Sequence, residues 1–287
     1  MTQFWIIQTL NSVAFGGLLF LLSAGFSLIF GLMRIPNLAH GGFFMLGAYF
    51  GATLAAEGMN FWLAVVGAAI GVGVLGVLIE RLFLRRLAGN EQGQVLVTLG
   101  IAFIIADVCL LVWTGDPVTL PAPRELRPPI LVHGFAFPTF RLVVLAIALV
   151  AALVLYLLME RTRLGAMIRA GVDDMEMARG VGIPVSLLFT VVFLLGAMLA
   201  GAGGTLGAPI LNAYPGLDTD MLPLALIVVI LGGAGSLLGA FVGSFVVGFL
   251  YNFGIALFPD FAYFILFLPM LLVLVFMPQG LFGRVQP

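Results

Sequence analysis

Lysine is absent from this 287-residue chain, and all twelve basic residues are arginine. A P-loop needs its lysine to reach the nucleotide phosphates, and Schiff-base or pyridoxal-phosphate chemistry needs a lysine amine, so none of these is available here. If the chain takes part in active transport, the energy comes from another subunit or from an ion gradient. Cysteine is nearly absent too. The single Cys109 lies inside an apolar run and excludes an internal disulfide and a cysteine zinc cluster. There is no His-Glu-x-x-His for zinc, and the two histidines, His40 and His133, have no evident route to pair with Ser236 as in a serine protease. No nucleic-acid partner is expected. Met1-Thr-Gln-Phe lacks the basic segment of a cleaved signal peptide. Charge of either sign makes up 9% of residues, far below the roughly 25% of soluble domains.

What is present is apolar. The chain is 62% hydrophobic, its mean hydropathy is +1.22, and long apolar runs recur from end to end. That pattern predicts an all-α polytopic membrane bundle, a single transmembrane domain over residues 1–287 with about 8–9 spans. The spans fall near Trp5–Phe30, Asn37–Ala56, Phe61–Ile79, Val95–Trp113, Leu142–Met159, Ser186–Leu206 and Phe261–Met277. Between the last two, Met221–Leu257 is too long for one span and short for two, and glycines 232–239 interrupt it. It reads either as a discontinuous helix beside a transport pathway or as a tight turn between two short spans. Glycine is frequent, with 37 residues, and Gly47/Gly51, Gly67/Gly71 and Gly239/Gly243 form small-xxx-small pairs suited to close helix contacts.

Arginine placement gives an orientation. Arg34, Arg81, Arg85, Arg86, Arg161, Arg163, Arg169 and Arg179 fall on one side of the alternation and Arg124, Arg127 and Arg141 on the other, while Arg284 depends on the threading of the last spans. The positive-inside rule puts the first group in the cytoplasm and the N-terminus outside. Trp5, Trp62 and Trp113 all fall at the arginine-poor span ends, where an indole prefers to sit. The extracytoplasmic loop 114–140 carries six prolines and is expected to be an extended lid without a helix of its own, with His133 a solvated residue in it. A second outer segment is acidic through Asp218 and Asp220.

The one hydrophilic, helix-forming stretch is 160–185, which holds eight of the 25 charged residues. Asp173 is placed to cap a short helix with Glu176 as its third residue, Gly171 to end the helix before it, and Gly182-Ile-Pro184 to end the new one. The result is a rigid unit at the membrane surface, either a handle for a soluble partner or an ordinary amphipathic connector. Asn37 and His40 flank the break between the first two spans, where they either cap half-helix ends beside a pathway or satisfy backbone groups at the cytoplasmic surface. Asp107 is the one acid well inside a span. An intramembrane carboxylate is a relay candidate, which makes an ion-coupled secondary transporter of a small polar solute the alternative reading. Its shallow depth, about 9 Å of helix from Trp113, favours a hydrogen-bonded structural acid.

Four ordered motifs resemble a known family. Asn37-Leu-Ala-His-Gly41, the stretch Arg161-Thr-Arg-Leu-Gly165 to Ile183, Leu231–Gly239 and Pro278-Gln-Gly-Leu-Phe-Gly283 resemble the LivH-type permeases of branched-chain amino-acid ABC importers. The resemblance implies an ATPase-coupling loop with Arg161, Gly165, Arg169, Ala170, Asp173, Asp174, Glu176, Ala178 and Gly182. It makes Asn37, His40, Gly41, Gly232, Gly233, Gly235 and Ser236 pathway candidates. It also implies a permease of the bacterial inner membrane without its own ATPase site, ATP being bound by partner subunits. Those partners are a homologous second permease, two cytoplasmic ATPases and a periplasmic substrate-binding protein. A glutamine or asparagine is usual in that family near Asp107, so no role carries over to it.

Overall fold

A computed structural model describes residues 2–34, 36–132 and 135–283; His133 and Arg284 lie outside them. The chain is built almost wholly of helices, because a backbone in lipid must satisfy its hydrogen bonds within the segment. In chain order these are α1 (Thr2–Met33), α2 (His40–Ala56), α3 (Phe61–Leu82), α4 (Glu91–Trp113), α5 (Thr139–Arg161) and α6 (Arg163–Asp173). There follow α7 (Met175–Gly180), α8 (Val185–Leu211), α9 (Leu217–Gly232), α10 (Leu237–Leu257) and α11 (Ala262–Phe276). Seven segments, α1, α3, α4, α5, α8, α10 and α11 with the turn before it, are long and apolar enough to cross a membrane. The 17-residue α2 and 16-residue α9 are shorter, about 24–26 Å against a hydrocarbon core of about 30 Å.

Glycine contacts set the packing. α1 is the most enclosed of the long helices, and it crosses α8 where Gly25 meets Gly196. α2 runs parallel to α8: Gly47 lies over Gly201, Gly51 over Thr205, and Gly204 under the Phe44 carbonyl. A Cβ on Gly47 would come within 2.2 Å of the Gly201 oxygen, so only glycine permits the approach. Thr205 Oγ1 uses that closeness to donate to the Gly47 carbonyl at 2.7 Å. α3 packs antiparallel on the other side of α8, with Gly76 against Ala197. α4 leans mainly on α2, and α5 on α1.

The region 221–257 is a helical hairpin. α9 and α10 run antiparallel, touching at Gly232/Gly239 and at Val228/Gly243, with residues 233–236 as the turn. α9 begins earlier than the sequence pattern suggests. Asp218, read as part of an acidic outer segment, is buried in its first turn, and only Asp220 stays at the surface, accepting from the Tyr214 hydroxyl at 2.6 Å.

The proline-rich loop departs from a purely extended lid. It contains a 3-10 turn at Arg124–Leu126 and a two-stranded antiparallel ribbon, β1 (Pro129–Val132) with β2 (Phe135–Pro138). The prolines fall at the ends of the ribbon, Pro129 paired with Pro138, where a missing N–H costs no interior ladder bond. Paired hydrogen bonds of 2.7 and 3.0 Å between Val118 and Ala213 tie this loop to the α8–α9 connection.

Candidate functional site: the α6–α7 unit and the inner seam

α6 is fastened to the arginine-rich end of the bundle. Thr162 caps it, its hydroxyl accepting from the Gly165 N–H at 3.1 Å. Gly165 lies so tightly against the end of α5 that a Cβ would stand 2.2 Å from the Met159 carbonyl oxygen. Arg169 donates to the same carbonyl and pairs with Glu160 at 3.5 Å. Arg34, at the end of α1, donates to the Val172 carbonyl at 3.2 Å. α6 is therefore tied to α1 and α5.

The cap of α7 is one residue later than the sequence suggests. Asp174, not Asp173, accepts from the Met177 N–H at 2.9 Å; Asp173 is the last residue of α6. Glu176 is then the second helical residue, and no capping box forms. Gly171 does not end α6 either: it is buried inside the helix, where a Cβ would meet Leu32 at 3.1 Å. The far end follows expectation. Gly182, at φ +84°, closes α7 with bonds of 3.0 Å from Gly182 N to Arg179 O and from Ile183 N to Ala178 O, the two-bond Schellman arrangement. Pro184 then blocks continuation.

Burial sorts the coupling candidates by role. Gly165 and Ala178 are buried, Arg169 and Ala170 half-buried, and Arg161, Asp173, Asp174, Glu176 and Gly182 exposed. Between the exposed charges stand two apolar residues that sequence reasoning passed over, Met177 at 65% and Val181 at 69% exposure. Four residues apart, they lie on one face of the α7 turn. Their only signal in the sequence is that they interrupt a charged stretch. A buried cluster was missed as well. Glu80 on α3 accepts from Arg85 Nε at 3.2 Å and from the Thr190 hydroxyl at 2.9 Å, while Arg85 also donates to the Ser186 carbonyl at 2.9 Å. It clamps the end of α3 to the start of α8.

The pathway candidates form two sets, both packed on the second half of α1. Gly232, Gly233, Gly235 and Ser236 make the α9–α10 turn. Ser236 caps α10 by accepting from the Gly239 N–H at 3.0 Å, and Gly235 (φ +75°) presses on Gly31 of α1. Residues 278–283 fold back over this turn, with Leu281 N donating to Leu231 O at 2.9 Å and Phe282 N to Gly232 O at 3.0 Å. Two motifs separated in sequence thus become one seam. Asn37, His40 and Gly41 lie well back from the end of α1. His40 Nε2 bonds the Leu22 carbonyl at 3.0 Å, eleven residues or about 16 Å of helix before the end of α1 at Met33. Asn37 Oδ1 accepts from Ala39 N at 3.2 Å, and Gly41 abuts the Asp218 carbonyl at the start of α9. Asn37 and His40 thus each bond a backbone group, as one reading expected, but both are fully enclosed and not at a surface of the chain. Asp107 is exposed and has no hydrogen-bond or ion-pair partner among the described residues, so no bond within the chain supports its structural reading.

A bundle of apolar helices with one rigid charged unit at its arginine-rich end defines a polytopic membrane permease. Over residues 8–274 the chain matches the family described as Branched-chain amino acid transport system / permease component, and it belongs to that family. It is 27% identical to the high-affinity branched-chain amino acid transport system permease protein LivH of Escherichia coli strain K12, over 98% of this chain and 96% of that one. The corresponding permease BraD of Pseudomonas aeruginosa is also 27% identical over 98% of the chain. The autoinducer 2 import system permease LsrC of Klebsiella pneumoniae is 32% identical over 55% of it. Among solved structures, PsaBC from Streptococcus pneumoniae in complex with Fab shares the fold, with a TM-score of 0.51 at 12% identity, covering 93% of this chain and 89% of that one.

Proposed function

We propose that this chain is a translocation subunit of an ABC importer that carries branched-chain or related amino acids across the bacterial inner membrane. The observation that carries the reading is the α6–α7 unit. It is capped at both ends, bolted to α1 and α5, and offers Met177 and Val181 within a rim of charge. An isolated connector has no need of such fastening; a lever pushed by a soluble motor does. ATP is bound by two cytoplasmic ATPase subunits and not by this chain. A homologous second permease completes the passage, and a periplasmic binding protein delivers the amino acid.

The whole chain acts as one permease domain of nine crossings, with α2 and α9 the short ones. The N-terminus lies outside, and Arg34, the α6–α7 unit, the α9–α10 turn and residues 278–283 lie inside. Both helix hairpin directions and the Gly31–Gly235 contact support this threading. Closure of the ATPases displaces α6–α7, and through Arg34 and Arg169 the movement reaches α1 and α5. Small-residue interfaces such as Gly25–Gly196 allow two packings to interconvert. The ion-coupled carrier needs no such unit.

The test is co-purification of the tagged chain from its native membrane in mild detergent. Recovery of two ATPases and a second permease is expected, with the ATPases lost in Met177→Glu and Val181→Glu while the second permease stays. These exposed positions are preferable to Gly165, where any side chain strikes backbone. Recovery of the chain alone in several gentle detergents would overturn the reading.

A further inference from the structure

α4 turns one stripe, including Thr98, Ala102, Ile105 and Cys109, toward α2. Its opposite face is uncovered. Gly100, Phe103, Asp107 and Leu111 recur there at spacings of three and four, which sets them in one line. Phe103 is 63% and Leu111 82% exposed, and a Cβ on Gly100 would meet nothing within 4 Å. In the middle of this line stands the unpaired Asp107 carboxylate, about 9 Å of helix inward from Trp113. The outward face of α5 is different. Leu149, Val150, Leu153 and Val154 are exposed there with no charge among them, the composition of a surface against lipid. An ionised carboxylate at that depth is costly against lipid tails and is found facing water or a cation.

We propose that this line of α4 borders an aqueous passage and that Asp107 receives the ammonium group of the amino acid in transit. The proposal rests on the importer reading above. Phe103 one turn inward and Leu111 one turn outward give the apolar surface that a branched aliphatic side chain meets. Gly100 leaves space two turns deeper. The zwitterion thus finds its cationic end and its apolar end matched on one helix face. A carboxylate open to water also releases its ligand readily, as a transit site must. A fixed cation on the second permease is the other source of the same chemistry, and the experiment separates the two.

The complete transporter is reconstituted in vesicles, and ATP-driven leucine uptake by the wild type is measured first. Absence of ATP-driven uptake of every branched-chain and related amino acid by the wild type would overturn the importer reading itself, before any variant is considered. With uptake established, Asp107→Asn is expected to lower it about tenfold or more, the scale of one charge-assisted hydrogen bond. ATP hydrolysis and co-purification of the second permease stay normal, and Asp107→Glu recovers most of the uptake. Asn uptake within twofold of wild type would overturn the proposal. So would loss of the second permease from the Asn complex, which would assign Asp107 to a fixed intersubunit pair. In a second readout, Asp107→Cys and Leu153→Cys are each made in a Cys109→Ala background and treated with a membrane-impermeant sulfonate thiol reagent. Labelling at 107 and none at 153 is expected; a cysteine at 107 that reacts only with a lipid-soluble maleimide overturns the passage.

Discussion

Gly47 and Gly71 each belong to a small-xxx-small pair, and nothing in the sequence ranks one above the other. The structure does. Gly47 sits where a Cβ would come within 2.2 Å of a backbone oxygen, whereas a Cβ on Gly71 would reach only ordinary contact with Phe50 at 3.5 Å. Gly47→Ala is therefore expected to cost about 2–3 kcal/mol, because α2 must part from α8. Gly71→Ala should stay within about 0.5 kcal/mol of wild type. Thermal unfolding of the detergent-solubilised protein checks both. Spacing alone declared which glycines could serve as contacts, but which of them do depends on the rotation of each helix. The same holds for Asp107. Its presence in a span was legible, and its direction was not, because α4 is apolar on both faces and offers no period to orient it.

At the level of elements, the inner end of the bundle is held by caps and one clamp. Removing the Glu80 carboxylate, as in Glu80→Ala, leaves Arg85 and Thr190 without their common acceptor beside α8. The expected loss is about 1–2 kcal/mol, seen as a lowered unfolding midpoint, since the buried Thr190 hydroxyl loses its acceptor while the exposed Arg85 guanidinium is compensated by water. Asp174→Ala removes the α7 cap, and Gly182→Ala forces a side chain into φ +84°. Each is expected to cost about 1 kcal/mol locally, with little change in global unfolding. The sensitive readout is transport-coupled ATP hydrolysis by the complex, which should fall in both. The helical pair and its glycine stop were readable from composition. The exact cap was not, because Asp173 and Asp174 are chemically equal candidates, and the choice between them depends on α6 running one turn further than Gly171 suggested. The spans were legible for a simple reason: lipid demands long apolar helices. The short α2 and α9 strained that rule because they are enclosed by protein and need not match the hydrocarbon thickness alone.

For the whole molecule, the sequence showed two family-like motifs in the last third, and the fold makes them one object. Residues 278–283 close over the α9–α10 turn, and a Cβ on Gly280 (φ +79°) would stand 2.5 Å from Gly233. Gly280→Val should thus loosen the inner seam and lower folded yield, as measured by the monodisperse fraction in size-exclusion chromatography. A Gly89→Val change, in a loop where a Cβ meets nothing within 4 Å, serves as the comparison of equal φ sign and smaller effect. No local pattern announces such a contact, since it joins loops through backbone hydrogen bonds that any residues donate.

The enclosed position of α1 has a consequence for how the protein is made. Its surface is completed by segments more than two hundred residues later: Gly16 meets Ser244 and Phe245, and Gly31 meets Gly235. The ribosome delivers the central helix first and its walls last. Until those segments emerge, α1 stands in the bilayer with its Gly16 and Gly31 notches unfilled, open to membrane chaperones and to proteases that survey incomplete bundles. A stop codon anywhere before α10 then strands the hub of the molecule instead of trimming its edge, so truncated chains should be cleared rather than retained as smaller bundles.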